Sequence, residues 1–217
     1  LKCLPVSISV IDKLEADDVI AYLAKYIPNT YPDSFTYIVS SDEDYTQLVN
    51  ERVLFYSPTK KILFNTSKVL EVFGVHPLNI NVYKSLVGDT SDNLPGVSGI
   101  GDKTVTKLFE DLKQPEAKGL SYIYETCQEK PVNSVLYDRV LFVQKTVEIM
   151  YQIMDLHNPN ISEEDIQDIE RLYHRKVVPL DKSGFMTLYN EDRMADIIPY
   201  TSNWLDLFRP LTLYKVK

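Results

Sequence analysis

The pattern of apolar and polar positions changes its period several times in the first third of the chain. Residues 5–11 alternate, which predicts a strand, and residues 15–27 have apolar side chains at helical spacing, with Pro28 ending the predicted helix. Three short apolar runs are typical of strands: 35–40, 53–56 and 61–64. Because strands alternate with helices, the pattern indicates an α/β fold in which a partial parallel sheet is flanked by helices.

Local signals refine this α/β part of the chain. The run at 35–40 is short, apolar and rich in β-forming residues, which predicts a buried strand, and a brief helix is expected at about 45–49. Asn65 or Thr66 caps a further predicted helix, which ends near Gly74.

From residue 76 onwards the pattern is mainly helical. Pro77 opens a predicted helix that reaches Val87, and a loop rich in Gly, Pro and Asp separates it from a second predicted helix at 103–112. Further helices are expected at 137–149 and 163–174. The changes of pattern predict three parts: an α/β part at 1–75, a helix–turn–helix part at 76–115 and a mainly helical part at 116–217.

The chain is acidic and poor in cysteine. It has 217 residues, a net charge of −8 and a pI of about 4.9, and its two cysteines, Cys3 and Cys127, lie far apart without zinc-ligand spacing. A reducing compartment is therefore expected rather than a disulfide framework. No apolar stretch approaches the ~20 residues that cross a membrane. An acidic chain argues against nucleic-acid binding unless its carboxylates are concentrated in a metal site.

Seven carboxylates occur in three short motifs at the predicted ends of elements. They are Glu15, Asp17, Asp18, Asp42, Asp44, Asp89 and Asp92. The first three open a helix, the next two follow the strand at 35–40, and the last two stand three residues apart in the loop. A helical turn through that loop would point Asp89 and Asp92 the same way.

Each acidic motif alone has an ordinary structural explanation. Acids complement the dipole at a helix start, Asp favours turns, and loops are solvated. Together, however, so many carboxylates would repel one another unless cations bind between them. Two Mg²⁺ or Mn²⁺ ions ~4 Å apart would use this many acids for in-line phosphoryl transfer, beyond the carboxyl ends of the strands. We therefore predict that all seven residues are metal-binding and catalytic.

The loop continues into a glycine-rich turn that predicts contact with nucleic acid. Its glycines permit tight turns and a close approach of the backbone. Free N–H groups at the start of the next helix, with two lysines one turn apart, would hold phosphates without reading sequence. A plain helix–helix connection needs only one glycine. The predicted DNA-binding residues are Gly96, Ser98, Gly99, Gly101, Lys103, Thr104 and Lys107.

In combination, the motifs resemble those of the 5′ nuclease family, which includes flap endonucleases and 5′→3′ exonucleases. The motifs stand in the family's order: Glu-Ala-Asp-Asp at 15–18, Ser-Ser-Asp-x-Asp at 40–44, Gly-Asp-x-x-Asp-Asn at 88–93 and Pro-Gly-Val-x-Gly-Ile-Gly at 95–101. The stretch 13–58 is most similar to the RNase H-type 5′ nuclease of T-even-like phages. The resemblance covers residues 8–112 and, more loosely, 137–155.

The resemblance implies a PIN-like 5′ nuclease core, of which residues 1–75 are the C-terminal portion, followed by a helix–three-turn–helix that holds duplex DNA. It implies metal-dependent cleavage of DNA or RNA–DNA ends or flaps in replication, including removal of RNA primers. The expected location is the cytoplasm of a bacterial or phage-infected cell. In relatives the turn also binds K⁺ through backbone carbonyls, and the matching positions are Leu86, Val87, Pro95, Val97 and Ile100.

The upstream part of the family fold, with two further metal ligands and a basic arch, has no counterpart in this sequence. The resemblance therefore implies an N-terminal nuclease segment as a partner that completes the site.

Two other functions fit some of the same motifs. A non-catalytic DNA-binding subunit would keep the fold without cleavage. A topoisomerase–primase-like site also uses Glu and Asp-x-Asp, but the glycine turn after Asp92 argues against it.

The C-terminal segment suggests a further partner. Leu205, Leu207 and Phe208 resemble the anchors of peptides that dock on sliding clamps, so a sliding clamp or a single-strand-binding protein is a candidate. The alternative is that this segment folds back and buries Trp204.

Overall fold

The computed structural model describes residues 1–129, 135–194 and 197–213. The chain divides into two compact units, Ala16–Asn160 and a second unit formed by Leu1–Glu15 with Ile161–Lys217. The three-part organisation predicted from the sequence stays a prediction. Among the residues that the structure describes, every helix is too short or too polar to span a membrane.

A three-stranded sheet organises the first part of the larger unit. Strand β1 (Thr36–Val39) pairs in parallel with β2 (Val53–Ser57), and β2 pairs in antiparallel with β3 (Ile62–Phe64). Within the described ranges the strand order is β1-β2-β3, so β1 forms one edge of the sheet. The predicted α/β fold with a small parallel sheet is confirmed for β1 and β2.

One face of the sheet supplies the core of this unit. Val53, Phe55 and Phe64 are fully buried, and the rings of the two phenylalanines stack at a centroid distance of 5.4 Å. Alternate side chains of a strand point to opposite faces, so these three residues share one face. Helix α1 (Ala16–Thr30) packs against this part of the fold through β1.

Two further helices begin and end at the predicted signals. Helix α2 (Thr66–Phe73) is capped by Asn65, whose side chain accepts a hydrogen bond from the Lys68 amide, and it ends at Gly74 with φ of +71°. Helix α3 (Ile80–Val87) follows a 3-10 turn that opens with Pro77, and residues 80–86 are all buried. Helix α3 is therefore the central helix of the core.

A hairpin joins α3 to the next helix. Strands β4 (Gly88–Asp89) and β5 (Leu94–Pro95) pair in antiparallel, and α4 (Asp102–Leu108) begins after the glycine-rich turn. The Tyr83 hydroxyl of α3 donates to the Asp102 carboxylate at 2.7 Å, which ties the two helices together.

Three more helices complete the larger unit: α5 (Leu120–Glu129), α6 (Val135–Phe142) and α7 (Gln144–Ile153). Helix α7 packs on α3, where the Asn81 side chain donates to the Tyr151 carbonyl at 3.1 Å. The buried Gln47 side chain also donates to the Met154 carbonyl, so the end of α7 is held against the segment that follows β1.

The smaller unit is helical in its described residues. It contains α8 (Glu163–Tyr173), α9 (Lys182–Glu191) and α10 (Thr201–Asp206). Leu205 is fully buried, and the Trp204 ring packs 5.5 Å from Phe185 of α9. The C-terminal segment is thus a docked helix, which favours the folded alternative over an extended clamp-docking peptide.

The predicted strand at 5–11 is wrong. No described residue pairs with this segment as a strand, and Val10 is 82% exposed. The Ser7 hydroxyl instead donates to the Leu172 carbonyl of α8 at 3.2 Å. Alternating apolar and polar side chains suit a strand with one buried and one exposed face. A strand also needs a neighbouring strand for its backbone hydrogen bonds, and this segment has none among the described residues.

The predicted end of α1 at Pro28 is also wrong, because the helix continues to Thr30. Pro28 is buried, and the Arg52 guanidinium donates to the Pro28 and Pro32 carbonyls. These contacts come from Arg52, the residue directly before β2, so they stabilise the last helical turn from outside the local sequence.

The strand at 35–40 is buried on one face only, so the prediction of a buried strand is wrong for the other face. Ile38 points into the core, whereas Phe35, Tyr37 and Val39 are each about 60% exposed.

The predicted helices at 103–112 and 137–149 are each broken into two, at Phe109 and at Val143.

Candidate metal centre and duplex-binding turn

Three of the predicted metal ligands converge. Asp44, Asp89 and Asp92 each place a carboxylate oxygen within 4.8 Å of the other two. Asp44 lies on the 3-10 helix Glu43–Leu48, which follows the carboxyl end of β1, while Asp89 and Asp92 lie on the hairpin after α3. Residues 45 positions apart in sequence therefore meet at the edge of the sheet where α/β proteins bind ligands.

The hairpin, and not a helical turn, brings Asp89 and Asp92 together, which corrects the geometry expected for this motif. Asp89 belongs to β4, and the turn at 90–93 reverses the chain into β5. The Asp89 carboxylate accepts hydrogen bonds from the backbone amide and the hydroxyl of Ser91. Asn93 has φ of +57°, a left-handed conformation that Asn tolerates and that closes the turn.

A buried lysine that the sequence analysis missed lies between two of these acids. The Lys84 ammonium contacts Asp44 and lies 2.9 Å from Asp89, and the lysine is only 7% exposed. Its positive charge offsets the repulsion of the two carboxylates. The available signal was a lysine among apolar residues of α3, since Lys is almost never fully buried unless it is paired.

This arrangement depresses the pKa of Asp89. Burial alone would raise it, but the hydrogen bonds from Lys84 and Ser91 outweigh burial and lower the pKa to about 2. The carboxylate is therefore ionised at any pH near neutrality and is ready to bind a cation without losing a proton.

We expect the ionisation of Asp89 to contribute to the free energy of unfolding at acidic pH. Its folded pKa of about 2 lies below the unfolded value of about 3.9, so the stability that it contributes is present above pH 4 and is lost as the pH falls towards 2. Denaturant unfolding in chelator measures the free energy of unfolding of the wild type and of Asp89→Asn. Between about pH 4 and 2 this free energy should decrease less steeply with falling pH in the variant than in the wild type. Parallel curves would contradict this role for Asp89.

The first acidic motif is connected to the second through a tyrosine. The Tyr45 hydroxyl donates to the Asp17 carboxylate of α1 at 2.6 Å, and the tyrosine is buried. Burial, the hydrogen bond to Asp17 and the charge of Asp42 raise the pKa of Tyr45 far above its usual range. The hydroxyl therefore keeps its proton and holds Asp17 beside the segment that carries Asp44.

The structure places the other predicted ligands separately. Asp17, Asp18 and Asp42 lie outside the group within 4.8 Å, and Asp42 caps its 3-10 helix by accepting from the Asp44 amide at 2.9 Å. Asp18 is half-buried in the first turn of α1. Glu15 is exposed and directly precedes α1. A shared role for all seven acids stays a prediction.

The donor set fits a hard divalent cation. Mg²⁺ and Mn²⁺ prefer carboxylate oxygens, and three converge here from elements that are fixed by the core. Among the described residues, no hydrogen bond or ion pair engages the exposed Asp92. The Lys84 ammonium lies between Asp44 and Asp89, so this position already holds a positive charge.

The glycine-rich turn approaches α3 closely. A Cβ at Gly96 would overlap the Val87 carbonyl, and a Cβ at Gly88, where φ is +86°, would overlap the backbone of Gly96. Glycine is needed at both positions because the two backbone segments touch. Of the carbonyls expected to bind K⁺, those of Leu86 and Val97 accept hydrogen bonds from the amides of Val97 and Ile100.

The predicted DNA-binding residues surround this turn. Lys103 and Lys107 lie exposed on α4, and Thr104 is half-buried beside them. Gly99 has φ of +83°, a conformation that favours glycine, and Gly101 precedes the first residue of α4. The Ser98 carbonyl accepts a hydrogen bond from Arg139 of α6 at 3.0 Å. Their roles in DNA binding stay predictions.

The sequence is similar to 5′-3′ exonucleases and DNA polymerases. Residues 1–74 match the family described as 5′-3′ exonuclease, N-terminal resolvase-like domain. The 5′-3′ exonuclease of Aquifex aeolicus is 34% identical over 157 residues, which cover 70% of this chain and 50% of that protein. The thermostable DNA polymerase I of Thermus aquaticus is 38% identical over 118 residues, 54% of this chain and 14% of the polymerase. The chain thus spans half or less of these relatives.

Solved structures share the fold. A mutant of the bacteriophage T5 5′-exonuclease superposes with a TM-score of 0.63 at 20% identity, covering 75% of this chain and 66% of the phage protein. The same exonuclease with bound zinc gives a TM-score of 0.63 and 60% coverage of that chain. A T5 flap endonuclease complex with DNA and metal ions gives 0.58 at 21% identity, covering 77% and 57% of the two chains. Residues 1–74 thus match the 5′-3′ exonuclease family, and the chain shares the fold of the T5 5′ nucleases.

Proposed function

We propose that the protein acts as a metal-dependent 5′→3′ exonuclease and flap endonuclease on DNA or RNA–DNA ends in replication, including the removal of RNA primers. The observation that carries this proposal is the convergence of Asp44, Asp89 and Asp92 next to the glycine-rich turn. Its relatives are a 5′-3′ exonuclease and DNA polymerases, and T5 relatives bind divalent metal ions and DNA.

In phosphodiester cleavage the acidic residues would bind the metal ions, and Lys84 and Tyr45 would position them. Asp44, Asp89 and Asp92 would hold Mg²⁺ or Mn²⁺, with Asp17, Asp18, Asp42 and Glu15 supplying the rest of the ligands for two ions. When bound, such ions activate water and offset the charge that develops on the phosphate. Lys84 holds the carboxylates of Asp44 and Asp89 together and oriented, and Tyr45 orients Asp17.

Duplex binding would use the glycine-rich turn. Gly96, Ser98, Gly99 and Gly101 allow the backbone to approach a phosphate, and the exposed Lys103 and Lys107 add positive charge next to it. A K⁺ ion held by the carbonyls of the five matching positions, 86, 87, 95, 97 and 100, would strengthen this contact. Because these contacts reach only the DNA backbone, binding would not depend on base sequence.

The sheet has room for a partner segment. The exposed face of β1 carries Tyr37 and Val39, with the exposed Phe35 directly before the strand, and the register places Tyr37 beside Leu54 and Val39 beside Tyr56. Parallel sheets are normally covered on both faces, so this apolar face and the edge of β1, which pairs with no other described strand beyond β2, suit further strands and helices. An N-terminal nuclease segment of the family fold, which would bring the remaining metal ligands, is the proposed occupant.

Cleavage of a labelled 5′-flap duplex tests the proposed function. The chain joined to an N-terminal nuclease segment should release short 5′ products with Mg²⁺ or Mn²⁺ and none in chelator. Tight binding of the flap duplex without any cleavage by the joined protein would favour a non-catalytic DNA-binding subunit instead. Cleavage that persists in chelator would contradict a metal-dependent mechanism.

We expect Lys103 to support duplex binding without sequence preference. Replacing Lys103 with alanine should weaken binding and lower the slope of log affinity against log salt by about one unit, because one phosphate contact is lost. Fluorescence anisotropy with two duplexes of unrelated sequence measures both quantities. A loss confined to one of the two sequences would contradict a phosphate contact.

A further inference from the structure

Three cations near the glycine-rich turn have no carboxylate partner in the part of the chain that the structure describes. Lys103 and Lys107 lie on α4, and Arg139 lies exposed on α6. None of the ion pairs formed among the described residues involves any of the three. Positive charge that is not neutralised, on a chain of net charge −8, indicates a surface that suits an anion.

Arg139 reaches the turn from a different helix than the two lysines. Its Nη1 donates to the Ser98 carbonyl at 3.0 Å, and a Cβ at Gly99 would lie 2.6 Å from the same nitrogen. The guanidinium therefore rests against the turn backbone at the residue whose φ is +83°. A larger residue at position 99 would displace the guanidinium from the turn.

Helix α6 is held in this position by a second contact. The Tyr137 hydroxyl lies 3.5 Å from the Leu108 carbonyl at the end of α4, and its ring meets Phe109 edge-on at 6.0 Å. Tyr137 and Val140 are both buried in the core. Because Tyr137 and Arg139 are only two residues apart, the packing of α6 fixes where the guanidinium can reach.

We propose that Arg139 is a further duplex-binding residue, which braces the turn through Ser98 and binds a phosphate of the DNA backbone. A guanidinium has five N–H donors and only one is used by the Ser98 carbonyl, a neutral group that leaves the positive charge available. The remaining donors suit a phosphate, which a guanidinium binds through two parallel hydrogen bonds. This inference rests on the proposed duplex binding by the turn.

The salt dependence of binding separates a phosphate contact from a purely structural role. Anisotropy with a nicked duplex, in Ca²⁺ to prevent cleavage, gives the slope of log affinity against log salt for each variant. Arg139→Gln, which keeps a donor for Ser98 but loses the charge, should lower the slope by about one unit, and Arg139→Lys should restore it. Arg171→Gln is the matched control, since Arg171 pairs with Asp168 on α8 at 2.9 Å.

A slope for Arg139→Gln equal to that of the wild type would overturn the proposal, and so would an equal drop in Arg171→Gln. If Lys103→Ala lowers the slope and Arg139→Gln does not, duplex binding by the turn stands and only the role of Arg139 fails. If the wild-type protein binds no duplex, both proposals fail.

Discussion

Replacing Asp44 with asparagine in the chain joined to an N-terminal nuclease segment should lower the rate of phosphodiester cleavage by about 10²–10³-fold, while duplex affinity stays nearly unchanged. Asp44 lies within 4.8 Å of Asp89 and Asp92, so its carboxylate would act at the reacting phosphate. In the proposed function the duplex would be held by the turn at 96–101 and by α4, where Asp44 contributes no hydrogen bond among the described residues. Single-turnover cleavage of a 5′-flap duplex, with anisotropy in Ca²⁺ for affinity, separates the two effects.

Asp168→Asn is the matched control for this prediction. It removes the same charge from the exposed surface of α8, where Asp168 pairs only with Arg171 in the described part of the chain. The control should cleave at the wild-type rate. Wild-type cleavage by Asp44→Asn, or an equal decrease in both variants, would refute a catalytic role for Asp44.

Replacing Lys84 with methionine should lower the free energy of unfolding by about 3 kcal/mol in the presence of a chelator, because two nearly buried carboxylates lose their counter-charge. The side chains of Lys84, Asp44 and Asp89 are only 9%, 13% and 15% exposed. Methionine keeps the apolar stem of the lysine, so the effect measures the charge. Adding Mn²⁺ should stabilise the variant more than the wild type, since the ion replaces the missing positive charge.

Lys68→Met is the matched control for Lys84→Met. Lys68 pairs with Glu71 at the surface of α2, where an ion pair contributes at most about 1 kcal/mol. Denaturant unfolding of both variants, with and without Mn²⁺, gives the comparison. If Lys84→Met is as stable as Lys68→Met in chelator, the contacts of Lys84 with Asp44 and Asp89 do not hold the acidic site together.

Much of the fold follows from local signals in the sequence. The apolar runs at 53–56 and 61–64 predicted β2 and β3, and the Asn65 and Gly74 caps set the limits of α2. These signals succeed because strand alternation and helix capping involve neighbours in the chain. The family motifs likewise led to the acids that meet in the structure, since strand ends and hairpins place them at one edge.

The remainder depends on contacts between distant residues. Pro28 stays helical because Arg52, directly before β2, donates a hydrogen bond to its carbonyl. Residues 5–11 alternate without forming a strand because the described chain offers them no strand partner. Lys84 is forty residues from Asp44, so its position between two carboxylates had no local signal beyond a charged residue in an apolar helix. The hydrogen bond from Tyr45 to Asp17 also joins residues that are distant in sequence, so no local signal predicted it.

Calorimetric titration of Mn²⁺ into the protein tests most directly whether the acids form a metal site. Asp92→Asn is the sharpest variant, because Asp92 lies within 4.8 Å of Asp44 and Asp89 but is not in contact with Lys84 in the described structure. We predict that the wild type and Asp168→Asn bind Mn²⁺ alike, and that Asp92→Asn and Asp89→Asn bind it about tenfold or more weakly. Equal Mn²⁺ affinity in all four proteins would contradict a metal site formed by these carboxylates.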